Sequence, residues 1–181
     1  MTRKIAVFCS ANTGLDPMFF AQAERFCEGL AVRGWELIYG ASRDGLMGHF
    51  ADEALKRHVV VRGAVPRHME GEGVHDGLTE LVRVEDLFER KRWMLDQAHA
   101  FAIFPGGFGT LDEALEAITW KSLGRLDKPI AFVDLKGHWQ GQLRCFEELA
   151  RAGAIRRESL AVYEVCASVD ALFESLDRAL A

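Results

Sequence analysis

The nine residues Pro105-Gly-Gly-Phe-Gly-Thr-Leu-Asp-Glu113 bring together three glycines, a hydroxyl and two carboxylates. They follow the apolar run Ala102-Ile103-Phe104. They lead into a segment that places Leu111, Ala114, Leu115 and Ile118 at the spacing of a core-facing helix. A strand, a glycine turn and a helix start, in that order, build an anion cradle. Glycines let a ligand approach the backbone, and the first amides of a helix are unpaired and partly positive. Gly106, Gly107, Phe108, Gly109 and Thr110 are therefore candidate phosphate-binding residues. The same letters also allow a purely structural reading. Thr110-Leu-Asp-Glu113 spells a capping box, in which Thr110 caps the helix and Glu113 returns to the Thr110 N–H. Two better-known phosphate motifs are absent: no lysine follows the last glycine as in a Walker A loop, and the G-x-G-x-x-G spacing does not occur.

Arg90-Lys91-Arg92 is the second chemical cluster. Lys91 lies four residues after Leu87 and three before Met94, so it shares the apolar face of a helix expected over 85–98. Arg90 sits at the edge of that face. Long cationic side chains usually snorkel to water. A cation directed inward instead needs a partner, because unpaired burial is expensive, and Glu113 or a ligand phosphate would serve.

The elements that must position these groups alternate along the chain. Strand-like runs are expected at Lys4–Cys9, Glu36–Tyr39, Val59–Val65, Leu81–Val84, Phe101–Phe104, Ile130–Asp134 and Ala161–Val165. Between them fall helical stretches. The first opens at Asp16-Pro17, buries Phe19, Ala23, Phe26, Cys27 and Leu30, and stops at Gly34. The second runs from Leu46 to Lys56, with Leu46, Met47, Phe50, Ala51, Ala54 and Leu55 inward. Others are expected near Trp139–Ala152 and Val169–Leu180. This alternation predicts an α/β fold: a Rossmann-like, doubly wound, mainly parallel sheet with helices on both faces, as one domain over residues 1–181. Such sheets bind ligands beyond the carboxyl ends of their strands. The loops after Phe8, Tyr39, Val65 and Phe104 all belong to that edge.

Bulk properties narrow the class. Hydrophobic content of 49% and charged content of 27% in 181 residues are ordinary for a soluble globular protein. A net charge of −5 argues against nucleic-acid binding through a general basic surface and leaves room for a local basic pocket. Cys9, Cys27, Cys145 and Cys166 form no C-x-x-C pair, so buried free thiols in a reducing compartment are expected. No signal peptide or membrane-length apolar run is visible, and a cytoplasmic location without membrane association is expected. The six histidines show no metal-ligand spacing, and no metal or cofactor is expected; His99 reads as structural.

Several motifs occur together and in a fixed order: Gly45-Leu-Met-Gly48, Glu89-Arg-Lys91, the 105–113 motif, Thr119-Trp120 and Asp127-Lys-Pro129. With them the chain resembles, over almost its whole length, the Lonely Guy family of cytokinin riboside 5′-monophosphate phosphoribohydrolases. Members have often been labelled lysine decarboxylases. The resemblance implies a Rossmann-like homodimer that cleaves the N-glycosidic bond of cytokinin riboside 5′-monophosphates, AMP or both, releasing a free base and ribose 5-phosphate. It implies Arg90 and Glu113 as catalytic residues. Glu72, Lys91, Gly107 to Thr110 and Thr119 would contact substrate, with Gly106 in the same turn.

Glycosidic cleavage builds positive charge on the ribose, which a carboxylate near the anomeric carbon stabilises, or it activates the attacking water. That is the role assigned to Glu113. Arg90 orients Glu113 and substrate, since a guanidinium does not readily release a proton. A Glu113 locked in the capping box would not point at the ribose. The chain departs from the family's usual pattern at Gly40-Ala41-Ser42, where Gly-Gly-Gly is common, and at Arg43-Asp44. It also departs at Cys9-Ser-Ala-Asn12 and at Phe88. These changes bear on substrate preference, and they leave open a non-catalytic nucleotide or cofactor carrier of the same fold as the alternative.

Overall fold

Alternate residues of each central strand point to opposite faces, and both faces are apolar, so the strands belong in the interior of a two-sided sheet. In the computed structural model, which describes residues 2–71 and 73–181, seven parallel strands form one sheet. They are β1 (Lys4–Phe8), β2 (Glu36–Tyr39), β3 (Val61–Pro66), β4 (Glu80–Val84), β5 (Ala100–Ile103), β6 (Ile130–Val133) and β7 (Glu164–Cys166). Their spatial order is β4-β3-β2-β1-β5-β6-β7. The chain winds outward from β1 to β4, then returns to the other side of β1 to place β5. The topological switch point therefore lies between the carboxyl ends of β1 and β5.

Among the described residues, six α-helices cover the sheet: α1 (Pro17–Arg33), α2 (Gly45–Lys56), α3 (Leu87–Gln97), α4 (Phe108–Ser122), α5 (Gln140–Arg151) and α6 (Val169–Ala179). One core layer joins Ile5, Val7, Ala102 and Phe104 of the sheet region to Phe26, Phe50 and Leu172 of α1, α2 and α6. The other joins Ala6, Phe8, Phe101, Ile103 and Phe132 to Met94, Ala114 and Phe146 of α3, α4 and α5. Helix α1 carries its sequence signals into structure without change. Asp16 accepts from the Met18 N–H, Pro17 opens the helix, and Gly34 closes it in the left-handed conformation.

Some expectations shift. Residues 157–161 form a 3-10 turn, so the last strand starts three residues later than the apolar pattern proposed. In α4 the buried face is Thr110, Glu113, Ala114 and Ala117, whereas Leu115 is 40% exposed. The helix is rotated from its most apolar orientation, and that rotation turns Glu113 inward. In α3 the inward residues are Lys91, Met94 and Leu95, while Leu87 and Phe88 are exposed. Cys9, Cys27 and Cys166 are buried free thiols as expected; Cys145 is exposed. His99 is structural, its Nδ1 accepting from the Lys4 N–H at 3.0 Å. Among the described residues, no helix is long and apolar enough to cross a membrane.

Candidate active site

The carboxyl ends of β1, β2, β3 and β5 surround a cavity of ≈ 460 Å³. All four loops named from the sequence contribute to it: Cys9 to Asn12, Gly40 to Ser42 with Asp44, Val65 and Pro66 with Met69, and Gly107 to Thr110. Backbone hydrogen bonds tie these loops together. The Ser10 N–H donates to Pro105 O (3.2 Å) across the switch point, and the Met47 N–H donates to Ser10 O (3.1 Å). On the far wall, the His75 N–H donates to Ala41 O (2.9 Å) and the Arg43 N–H to Gly73 O (3.0 Å). His75 is itself held: its Nδ1 accepts from the Gly77 N–H (3.0 Å), which leaves Nε2 to donate to Asp52 Oδ1 (3.1 Å).

The glycine turn is not a capping box. Helix α4 begins at Phe108 with Gly107 as its N-cap, so Thr110 is the third helical residue and Glu113 lies well inside the helix. No side chain caps this end. The first-turn amides, with the positive end of the helix dipole, therefore open onto the cavity beside Thr110. Gly106 has a steric reason to be glycine, because a Cβ there would lie 2.0 Å from Thr110 Oγ1. Its N–H does not face the cavity and donates to His138 Nε2 at 3.1 Å.

With the capping role gone, Glu113 is free to meet Arg90. Arg90 projects from α3 and donates from Nη2 to Glu113 Oε1 at 3.2 Å. Both line the cavity, and their side chains are 16% and 8% exposed. Burial pushes the Glu113 carboxyl up to about 7, and the Arg90 guanidinium only partly offsets it. Burial also raises the Cys9 thiol at the cavity wall, with the Glu113 charge adding to the effect. Arg90 reaches this position because Gly40 has no side chain: a Cβ at Gly40 would stand 3.2 Å from Arg90 Nη1 and 2.8 Å from Met47 Cε. Arg90 Nε is buried and has no hydrogen-bond partner among the described residues.

Of the residues named from the sequence, the structure gathers Arg90, Gly107, Phe108, Gly109, Thr110 and Glu113 around one cavity. Lys91, Gly106 and Thr119 stand outside its lining. Lys91 Nζ pairs with Asp112 at 2.9 Å and Glu116 at 2.7 Å, and Thr119 lies exposed farther along α4. Glu72 lies outside the described residues. Periodicity and motif spacing do not single out Asp44, Met69 and Val74, which line the opposite wall from irregular or diverged loops. Ala41 in that wall is left-handed (φ 63°), a conformation that suits the glycine common at this position in the resembling family.

Known proteins resemble this chain in sequence and in fold. A family model described as "Possible lysine decarboxylase" matches residues 47–176. A protein of Oryza sativa subsp. japonica, named probable cytokinin riboside 5′-monophosphate phosphoribohydrolase, is 37% identical over 158 residues, covering 86% of this chain and 70% of its own length. The Rhodococcoides fascians cytokinin riboside 5′-monophosphate phosphoribohydrolase is 33% identical, covering 93% and 86%. Among solved structures, the molybdenum cofactor binding protein of Rippkaea orientalis superposes with a TM-score of 0.76 at 18% identity, covering 100% of this chain and 99% of that one. The molybdenum cofactor carrier protein of Chlamydomonas reinhardtii superposes at 0.75 with 16% identity, covering 99% and 98%. Those structures bear on the fold alone. The sequence matches go further, and the chain belongs to the family of cytokinin riboside 5′-monophosphate phosphoribohydrolases that the lysine decarboxylase description covers.

Proposed function

We propose that this chain is a phosphoribohydrolase that cleaves the N-glycosidic bond of a purine nucleoside 5′-monophosphate. The observation that carries the reading is the Arg90–Glu113 pair, set in the same cavity as an uncapped helix start. The 5′-phosphate sits on the first-turn amides of α4 and the Thr110 hydroxyl. Ribose then falls over Glu113. Its carboxylate, held near neutrality by burial, stabilises the developing cation at the anomeric carbon or accepts a proton from the attacking water. Arg90 keeps the carboxylate directed into the cavity and retains donors for the substrate. No metal or cofactor enters this scheme.

The base points away from the phosphate end. Val65, Pro66, Met69 and Val74, with Met47, supply apolar surface on that side, which suits an N6-alkylated adenine as well as adenine itself. A homodimer is part of the proposal, supported by exposed Leu87 and Phe88 on α3 and exposed Leu115 and Trp120 on α4. Size-exclusion chromatography with light scattering checks it. The carrier alternative has weaker support: it rests on structural neighbours only 16–18% identical to this chain.

Chromatographic release of base from AMP and from isopentenyladenosine monophosphate tests the reading, with Glu113→Gln alongside. Release by the native protein and its loss in the variant, with nucleotide binding retained, is expected. A folded native protein that binds AMP and releases no base from either nucleotide would overturn it.

A further inference from the structure

The side chain that holds the glycine turn comes from another part of the sheet. His138 follows β6, the strand next to β5. Its Nε2 lies 3.1 Å from the Gly106 nitrogen and 3.0 Å from the Gly106 oxygen. One ring nitrogen thus lies within reach of both polar groups of the residue that precedes the helix N-cap and bonds one of them, according to its tautomer. As an acceptor it takes the Gly106 N–H, and as a donor it meets the Gly106 carbonyl. Either way, the orientation of the peptides entering Gly107 depends on where this ring stands.

The ring is exposed on one side and packed on the other. Phe19 and Trp139 pack edge-on against it, with centroids at 5.8 and 4.7 Å. Trp139 is anchored in turn, its N–H donating to Asp134 Oδ1 at 2.7 Å, while Gln140 Nε2 donates to Asp134 Oδ2 at 2.5 Å. Lys136, left-handed at φ 53°, reaches across to Asp16 at 2.5 Å and fastens the same connection to the start of α1. A chain of contacts therefore runs from the end of β6 through His138 to Gly106, and on to the amides of Gly107 to Thr110.

We propose that His138 is the positioning residue of the anion cradle. It orients the Gly106 peptide so that the first-turn amides of α4 converge on one oxyanion. His138 does not line the cavity, so it acts through the turn and not on the substrate. The inference rests on the reading that these amides take the 5′-phosphate. Its signature is selectivity for that group: loss of the ring weakens phosphate-bearing ligands and leaves the rest of the site alone.

The test is calorimetric binding of AMP, adenosine and inorganic phosphate to the native protein, His138→Ala and His138→Gln, with base release measured in parallel. Gln can both donate and accept, so it is expected to stay within about 2-fold of native. Ala is expected to weaken AMP and phosphate by about 5- to 10-fold, the loss of roughly one hydrogen bond, with adenosine unchanged. If Ala does not fold, Phe takes its place, keeping the ring's packing without its nitrogens. Equal affinity of native and Ala (or Phe) proteins for AMP overturns the proposal, as does an equal loss for AMP and adenosine. Selective weakening in the variant, with a native protein that releases no base, would uphold the positioning role while overturning the hydrolase. A native protein that binds neither AMP nor phosphate would overturn both.

Discussion

Two neighbouring cations of α3 pair with carboxylates of α4, and they do so in different surroundings. Arg90 meets Glu113 inside the cavity; Lys91 meets Asp112 and Glu116 outside it. Around Lys91, burial disfavours the ammonium, but hydrogen bonds with Glu116 and Asp112 outweigh it and hold the group above its usual value. Two carboxylates, one of them well exposed, satisfy that cation, and the contact is a brace between α3 and α4. At Glu113 the balance runs the other way. Burial exceeds the help from a single 3.2 Å contact, and the carboxyl rises to about 7. Incomplete compensation makes a group reactive near neutral pH, and complete compensation makes it structural.

Removing Glu113 gives the sharpest contrast. Glu113→Gln is expected to lower the rate of base release by roughly 10²–10⁴-fold, as for loss of a positioned acid–base or electrostatic group. Affinity for AMP should change little, as steady-state and binding measurements will show. In the proposed mechanism the ionised carboxylate is the working form. The rate should therefore rise as pH passes through about 7 and fall about tenfold per unit well below it.

Arg90→Ala should cost less, roughly 10–10²-fold in rate, because it removes orientation and not the carboxylate. It should also move the acidic limb of the pH–rate profile upward, since Arg90 lowers the Glu113 value. A limb that stays in place would dissolve the difference drawn between the two pairs.

Stability provides an independent reading of the same burial. A carboxyl raised in the folded state adds stability that is fully present below its unfolded value and is lost as pH rises through the folded one. For Glu113 that window runs from the ordinary carboxyl value of 4.5 to about 7. Glu113→Gln should therefore gain on the native protein between pH 5 and pH 8, by at most ~3 kcal/mol. Urea titrations at the two pH values check this, and a constant difference would show that Glu113 does not titrate in that window. The smallest effect belongs to the brace: Lys91→Met should cost about 1 kcal/mol, with activity per folded molecule within a few-fold of native. A large loss of kcat in a folded Lys91→Met protein would return Lys91 to the site.

Much of this was legible in the chain. Strand–helix alternation, the Asp16-Pro17 and Gly34 signals and the apolar stripes of α1 and α2 lead directly to the observed sheet. All four loops at the binding edge are recognisable from where their strands end. The capping box is a failure of local reading. Its letters fit, but the helix begins three residues earlier: Gly107 is the N-cap, and Phe108, Gly109 and Thr110 are already helical. Leu115 misleads similarly, since amphipathic periodicity prefers an apolar face to the one carrying Thr110 and Glu113.

The sequence by itself determined the fold, the family and the motif residues, because those rest on short-range periodicity and on letters in a fixed order. Only the tertiary structure decided which neighbouring cation enters the cavity, which turn amide faces away from it, and that a histidine beyond β6 holds the turn. These are outcomes of helix rotation and strand adjacency. Arg90 and Lys91 differ by about 100° around α3, and that angle acquires meaning only when the facing surface of α4 is in place. His138 is thirty-two residues from Gly106 in the chain and meets it only because β6 lies beside β5.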